Sequence, residues 1–156
     1  MKEKARTRVL LKPTTHPFLE GFDEEFLAAA SENAREVQFQ TDEMVFYEGE
    51  MAGHFYLVLE GKVSFEIGAT DHPRITVQTV DARQVMGWAW LVPPYRWPVD
   101  ARALKPTRVI ALDAFILHRY FKTHCDTGYK FVVRLLPVLA KRLDEARFQL
   151  VNLYDQ

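Results

Sequence analysis

The chain has 156 residues, a single-domain length, of which 48% are hydrophobic and 26% charged, a composition that supports a packed core beneath a solvated surface. A net charge of −1 excludes the broad basic face expected of a nucleic-acid binder. The single cysteine, Cys125, excludes an internal disulfide and a CxxC zinc site, and no apolar run approaches a membrane span, so a cytoplasmic setting without a membrane partner is expected.

Residues 1–15 are polar and carry the only basic concentration, Lys2, Lys4, Arg6, Arg8 and Lys12; they are expected to form a solvated, loosely ordered extension ahead of a folded domain over 16–126. Asp23 as N-cap, Glu24 and Glu25 in the first turn, and Phe26, Leu27 and Ala30 on one side predict a helix from about Asp23 to Ala34.

From Glu36 the period becomes two. Val37 and Phe39, then Met44 to Tyr47, Phe55/Leu57/Leu59, Val63/Phe65/Ile67 and Ile75/Val77/Thr79 read as short strands. Thr41-Asp42, Gly49, Gly53, Glu60-Gly61 and Gly68 to Pro73 separate them as turns. Such spacing predicts a mainly β, jelly-roll-like architecture in place of a parallel α/β sheet. Val99 to Leu104 and Val109 to Leu112 supply the last strands.

Between them, Val85 to Ala103 holds all three tryptophans and three of the eight prolines. Gly87 lets the chain leave a strand, the next five residues suffice for one short helix, and Pro93-Pro94 stops it, since proline lacks an N–H and disfavours helix in its predecessor. Outward-pointing amides at such a start make a candidate anion cradle. Gly87, Trp88, Ala89, Trp90, Arg96 and Trp97 are therefore candidate ligand-binding residues. The indoles either line a pocket or fill it, and Arg96 either grips an anion or lies on the loop surface.

Asp113 can cap a helix carrying Phe115, Ile116, Tyr120 and Phe121 that ends near Cys125, and Asp126 or Thr127 can cap a last one over 127–156. There Leu136, Leu139, Leu143, Ala146, Leu150 and Leu153 alternate spacings of three and four, the seam of a coiled coil. Pro137 is expected to kink or break the helix, leaving the clean seam from Val138. The stripe either packs on its own β-domain or pairs with a second copy; a homodimer is the expectation.

This order resembles the cyclic nucleotide-binding domain of the catabolite activator protein superfamily over roughly 16–154. Phe46-Tyr47-Glu48-Gly49-Glu50 and Phe55 to Val63, with Glu60-Gly61, are similar to the family's paired glycines around an aromatic strand. Gly87 matches the glycine opening the phosphate-binding cassette, and Ala101-Arg102-Ala103 the strand after it. The resemblance implies a β-roll (double-stranded β-helix) followed by a long C-terminal dimerisation helix. It also implies a ligand-induced movement of cassette and helix about a hinge near Gly128.

Against the family pattern, Trp88 replaces the glutamate that accepts a ribose hydroxyl, Trp97 and Pro98 replace the arginine and hydroxyl residue that grip the cyclic phosphate, and Ala146 and Arg147 replace the purine-contacting hydroxyls. Tight cyclic AMP binding is not expected. The reading is a non-enzymatic regulatory module for a nucleotide or other small anion, with Arg147 a further ligand candidate. The alternative is a ligand-free scaffold holding a partner protein. No cofactor, metal ligand set, nucleophile elbow or operator-reading helix-turn-helix follows the pattern, so no direct DNA binding is expected.

Overall fold

The computed structural model describes residues 6–69 and 71–155; Lys2 and Lys4 of the basic extension lie outside them. Two antiparallel sheets form the roll. The first orders β1 (Arg6–Arg8), β2 (Arg35–Phe39), β9 (Thr107–Asp113), β4 (His54–Glu60) and β7 (Val85–Met86), and the second β3 (Met44–Phe46), β8 (Asp100–Ala103), β5 (Lys62–Ala69) and β6 (His72–Asp81). Among the described residues three α-helices complete it: α1 (Glu24–Ser31), α2 (Ala114–Thr123) and α3 (Cys125–Tyr154). The expected jelly-roll-like β-roll with a long terminal helix is therefore the observed architecture.

Alternation along β4 sets the layers, because successive side chains in a strand point to opposite faces. Phe55 and Leu57, both fully buried, face the helices. Phe55 lies 5.2 Å from Phe18 and 5.3 Å from Phe131, ring centre to ring centre. Phe131 in turn touches Phe26 of α1 at 6.3 Å, so one aromatic cluster clamps α1 and the first turns of α3 to the roll. Burying each such ring contributes about 1.5–3 kcal/mol. The opposite face of β4, with Tyr56, looks into the roll, where Tyr56 stacks 6.1 Å from Phe46 of the other sheet.

The Glu60-Gly61 turn falls where the sequence places it. Gly61 has φ +107°, and a Cβ there would come within 2.6 Å of the Thr107 Cα, so only glycine lets β9 pass this close. Asp23 caps α1 by accepting from the Phe26 amide at 2.8 Å, and Asp113 caps α2 through the Ile116 amide at 3.2 Å.

Several boundaries differ from expectation. Arg6–Arg8, expected to be loose, forms a strand in register with Arg35–Val37; Arg-Thr-Arg has no hydrophobic period by which to recognise it. Helix α1 stops at Ser31, because Asn33 adopts φ +62° to turn the chain into β2. His124, not Asp126 or Thr127, occupies the N-cap of α3 and has no side-chain capping bond. Pro137 does not break α3. It is exposed, as is Val133 one turn earlier, so water can serve the carbonyl that the missing N–H would have bonded. Consequently the three–four pattern extends back through Val132 to Tyr129. Among the described residues, no helix is long and apolar enough to cross a membrane.

Candidate functional site

Directly after β7, Gly87 adopts φ +104°, and a Cβ there would stand 2.9 Å from Cη2 of Trp97. The turn thus needs glycine twice, for its dihedral and for the approach of the indole. A single 3₁₀ turn, Ala89–Leu91, follows, shorter than the five-residue helix expected, with the Leu91 amide donating to the Trp88 carbonyl at 2.9 Å.

The three tryptophans take three different roles. Trp90 turns into the core, 1% exposed; its Nε1 donates to the Gly87 carbonyl at 2.8 Å. Its own carbonyl accepts from Nε2 of His118 on α2 at 2.6 Å, which fixes the proton on that nitrogen. Its ring meets Phe131 at 5.6 Å, so the cassette turn is joined directly to α3. Trp97 enters the roll and lies on Phe46, centroids 3.8 Å apart and planes 7° from parallel. Trp88 is half-buried.

Around this turn Gly87, Trp88, Ala89 and Trp97 border one cavity with Phe46 and Phe65, and its volume is about 170 Å³. Ligand pockets are ordinarily about 300–1,000 Å³. The indole of Trp97 occupies the space that would otherwise enlarge it. The remaining walls are apolar apart from Gln78 and Arg142.

Arg142 went unrecognised in the sequence, where it reads as a charged flank of the seam. On α3, however, it continues the inward stripe Phe131, Leu135, Val138 at spacings of four, three and four, and that stripe faces the roll. Its guanidinium lies 5.3 Å from the Phe65 ring centre and donates through Nη2 to the Val85 carbonyl of β7. Its own carbonyl accepts from Nε2 of Gln78 at 2.8 Å. Burial brings its pKa down to about 10 against a partial opposing pull from Glu145, so it remains a cation at neutral pH. Among the described residues no carboxylate lies within ion-pair distance of it. On its outer side Arg142 and Gln78 also border a wide groove of about 990 Å³ between α3 and the β6–β7 region.

Two other candidates lie elsewhere. Arg96 points away from the cavity and donates to the Gly49 carbonyl at 3.0 Å. The reason is register: Arg96 bridges Met51, while the Trp97 amide and carbonyl bond Glu50 and Gly49 at 3.0 and 2.9 Å, which sends the next side chain inward. Arg147 is exposed on α3 and sits 3.7 Å from Asp144.

The strand after the cassette carries a cluster of ion pairs. Arg102 of β8 donates from Nη2 to the Glu66 carboxylate at 2.6 Å and from Nη1 to Asp42 at 2.6 Å. Glu66 is 2% exposed. The Arg102 hydrogen bond, above all, holds its carboxyl below the usual carboxylate range, against burial. Nearby, Arg74 pairs with Asp100, which also accepts from the Glu48 amide at 2.7 Å. This network fixes the frame that faces the cavity across β5 and β8.

Comparison with known proteins agrees with this geometry. The sequence profile of the cyclic nucleotide-binding domain matches residues 36–124. A cyclic nucleotide-binding protein of Geobacter metallireducens GS-15 is similar in structure, with a TM-score of 0.73 and 25% identity over 82% of this chain and 92% of that one. A cyclic nucleotide-binding domain from Methylobacillus flagellatus has a TM-score of 0.72 at 20% identity, covering 84% of this chain and 74% of that one. The c-di-GMP responsive global regulator CLP of Xanthomonas campestris shares the fold with a TM-score of 0.72 at 18% identity, over 85% of this chain and 65% of that one. No curated protein sequence matches significantly.

Proposed function

Because the chain belongs to the cyclic nucleotide-binding domain family, we propose that it is a cytoplasmic regulatory sensor whose effector is a small anionic or nucleotide-like molecule and whose output is the setting of α3. The observation that carries this reading is Arg142: a half-buried cation on α3, satisfied by the Val85 carbonyl and the Phe65 ring and bordering the cassette cavity. An effector anion that takes the guanidinium from the carbonyl changes the contact between α3 and β7. Differential contact of this kind is what a ligand needs to shift a two-state element.

Cyclic AMP is not that effector at high affinity. Trp88, Trp97 and Pro98 replace the carboxylate, arginine and hydroxyl that family members place around ribose and phosphate. Each charge-assisted bond is worth about 1.5–3 kcal/mol, and about 1.4 kcal/mol is tenfold in affinity. With Trp97 on Phe46, a cyclic nucleotide also has to displace the indole before it fits. That same stack supports a second reading, a closed scaffold that holds a protein partner and takes no ligand. In both readings α3 pairs with a second copy along its seam.

A thermal-shift panel of cyclic mononucleotides, cyclic dinucleotides, nucleotides and small organic acids separates them. For the sensor, at least one anion stabilises the protein; at a hundred times its Kd the gain is about 2.7 kcal/mol, roughly 5–10 °C for a domain of this size, and Arg142→Gln removes it. Stabilisation by no anion leaves the scaffold. Tight binding of cyclic AMP overturns the account of the substituted cassette.

A further inference from the structure

Alternate residues of β2, Arg35, Val37 and Phe39, share one face, as do His54 and Tyr56 of β4. The register Arg35↔Ala111↔Tyr56 lays them side by side on the inner wall of the roll. Strand β1 adds Arg6 opposite Val37. These residues border a cavity of about 870 Å³ that shares no lining residue with the cassette cavity and is closed on its other side by β3. Tyr56 stands between the two, 6.1 Å from both Phe46 and Trp97.

The lining is divided by chemistry. Val37, Phe39, Tyr56 and Ala111 form a buried, largely apolar floor. Arg6, Arg35 and His54 stand at its edge. Among the described residues neither arginine pairs with a carboxylate; Arg35 donates to the Ala34 carbonyl at 2.9 Å, which leaves guanidinium N–H groups for a second acceptor. Arg6 lines the same cavity as His54 and Tyr56. Glu43, the acidic residue of the lining, accepts from the Gln40 amide at 2.9 Å.

We propose that this mouth of the roll is a second binding site, for a small molecule with a flat apolar body and a carboxylate head. The body lies along Val37 and Tyr56, and the head is held by Arg6 and Arg35. The cavity combines an apolar floor with a polar rim that also includes Asn33, Gln40 and Tyr47, and the mouths of β-barrels are a recurrent place for a small-molecule site. Guanidinium forks match a planar carboxylate, and aromatic walls favour a ring. The site is independent of Arg142 and of whatever the cassette cavity accepts.

The probe is 2-naphthoate, with the neutral 2-naphthamide as its partner, titrated into the full chain and followed by isothermal calorimetry and by contacts from the naphthyl protons to the Met44 and Val37 methyls. The expected result is saturable naphthoate binding with those contacts, the amide weaker by about tenfold or more. Arg6→Gln with Arg35→Gln is expected to lower naphthoate affinity by a similar factor, and Arg142→Gln to leave it unchanged. Equal binding of acid and amide, contacts to Trp88 or Phe65 in place of Met44, sensitivity to Arg142→Gln alone, or no saturable binding each overturns the proposal. The methyl contacts are read on the unaltered protein, so the outcome does not depend on the double variant folding.

Discussion

Trp97 lies flat on Phe46 at 3.8 Å, with its Cη2 2.9 Å from where a Cβ on Gly87 would stand. One indole therefore fixes both the residue that opens the cassette and the size of the cavity behind it. Gly87→Ala is expected to cost about 2–5 kcal/mol, from the positive φ and from overpacking together. Trp97→Phe removes the atoms that clash and relieves part of that cost. In urea denaturation the double variant is expected to be more stable than the sum of the single losses by about 1 kcal/mol. Strict additivity would show that the contact does not set the glycine.

The turn at Gly87, the Asp23 and Asp113 caps and the long helix α3 are legible because each follows a local rule: a turn that needs φ > 0, a side chain that accepts an amide, a helical repeat of three and four. Arg6–Arg8, Trp97 and Arg142 are less so, since their places are set by partners far along the chain. Strand β1 is held by pairing with Arg35–Val37. Trp97 points inward because Gly49 and Glu50 fix its register. Arg142 sits on the inward stripe of α3, where its position signals burial while its charge suggests solvent.

Arg102 and Glu66 form a pair in which the carboxylate is 2% exposed and the arginine side chain 30% exposed. Removing one partner strands the other, so Arg102→Ala is expected to destabilise by about 3–5 kcal/mol. Glu66 has a folded pKa below its unfolded value, so its contribution is present above the unfolded value of 4.5 and lost as pH falls through the folded one. Without Arg102, burial instead favours the protonated acid. The stability gap between variant and parent is therefore expected to narrow as pH drops below about 5; urea titrations across that range check it, and a constant gap would contradict it.

His16 is 2% exposed. Nδ1 accepts from the Phe18 amide at 3.0 Å, and Nε2 faces the Val58 and Gln84 carbonyls at 3.1 and 3.2 Å. This is a neutral ring, and burial, above all, lowers its pKa from 6.5; burial lowers His54 in the same way. Both unfolded imidazoles bind protons that the folded ones refuse, so their stabilisation is complete above pH 6.5 and declines as pH falls toward the folded values. The urea midpoint is expected to drop between pH 7.5 and 5.5, and His16→Gln, though less stable overall, to show a shallower slope. An unchanged slope would remove His16 from the account.

On α3, Leu136, Leu143, Leu150 and Leu153 are each more than half exposed, and with Leu139 and Ala146 they keep the three–four spacing of the seam. Extending it to Tyr129 and Val132 gives eight positions on one continuous helix. Knobs-into-holes pairing of two such helices covers this stripe. The chain is therefore expected to run in light scattering at twice its 18.1 kDa. Leu143→Glu and Leu150→Glu put like charges on the axis and are expected to yield monomers that keep the near-UV signal of a folded roll, whereas Lys141→Glu, off the seam, is expected to remain dimeric. Phe131 and Leu135 anchor the first turns of α3 independently of the seam, which is why the monomer is expected to stay folded. A parent protein that stays monomeric at high micromolar concentration would leave the stripe without a second copy.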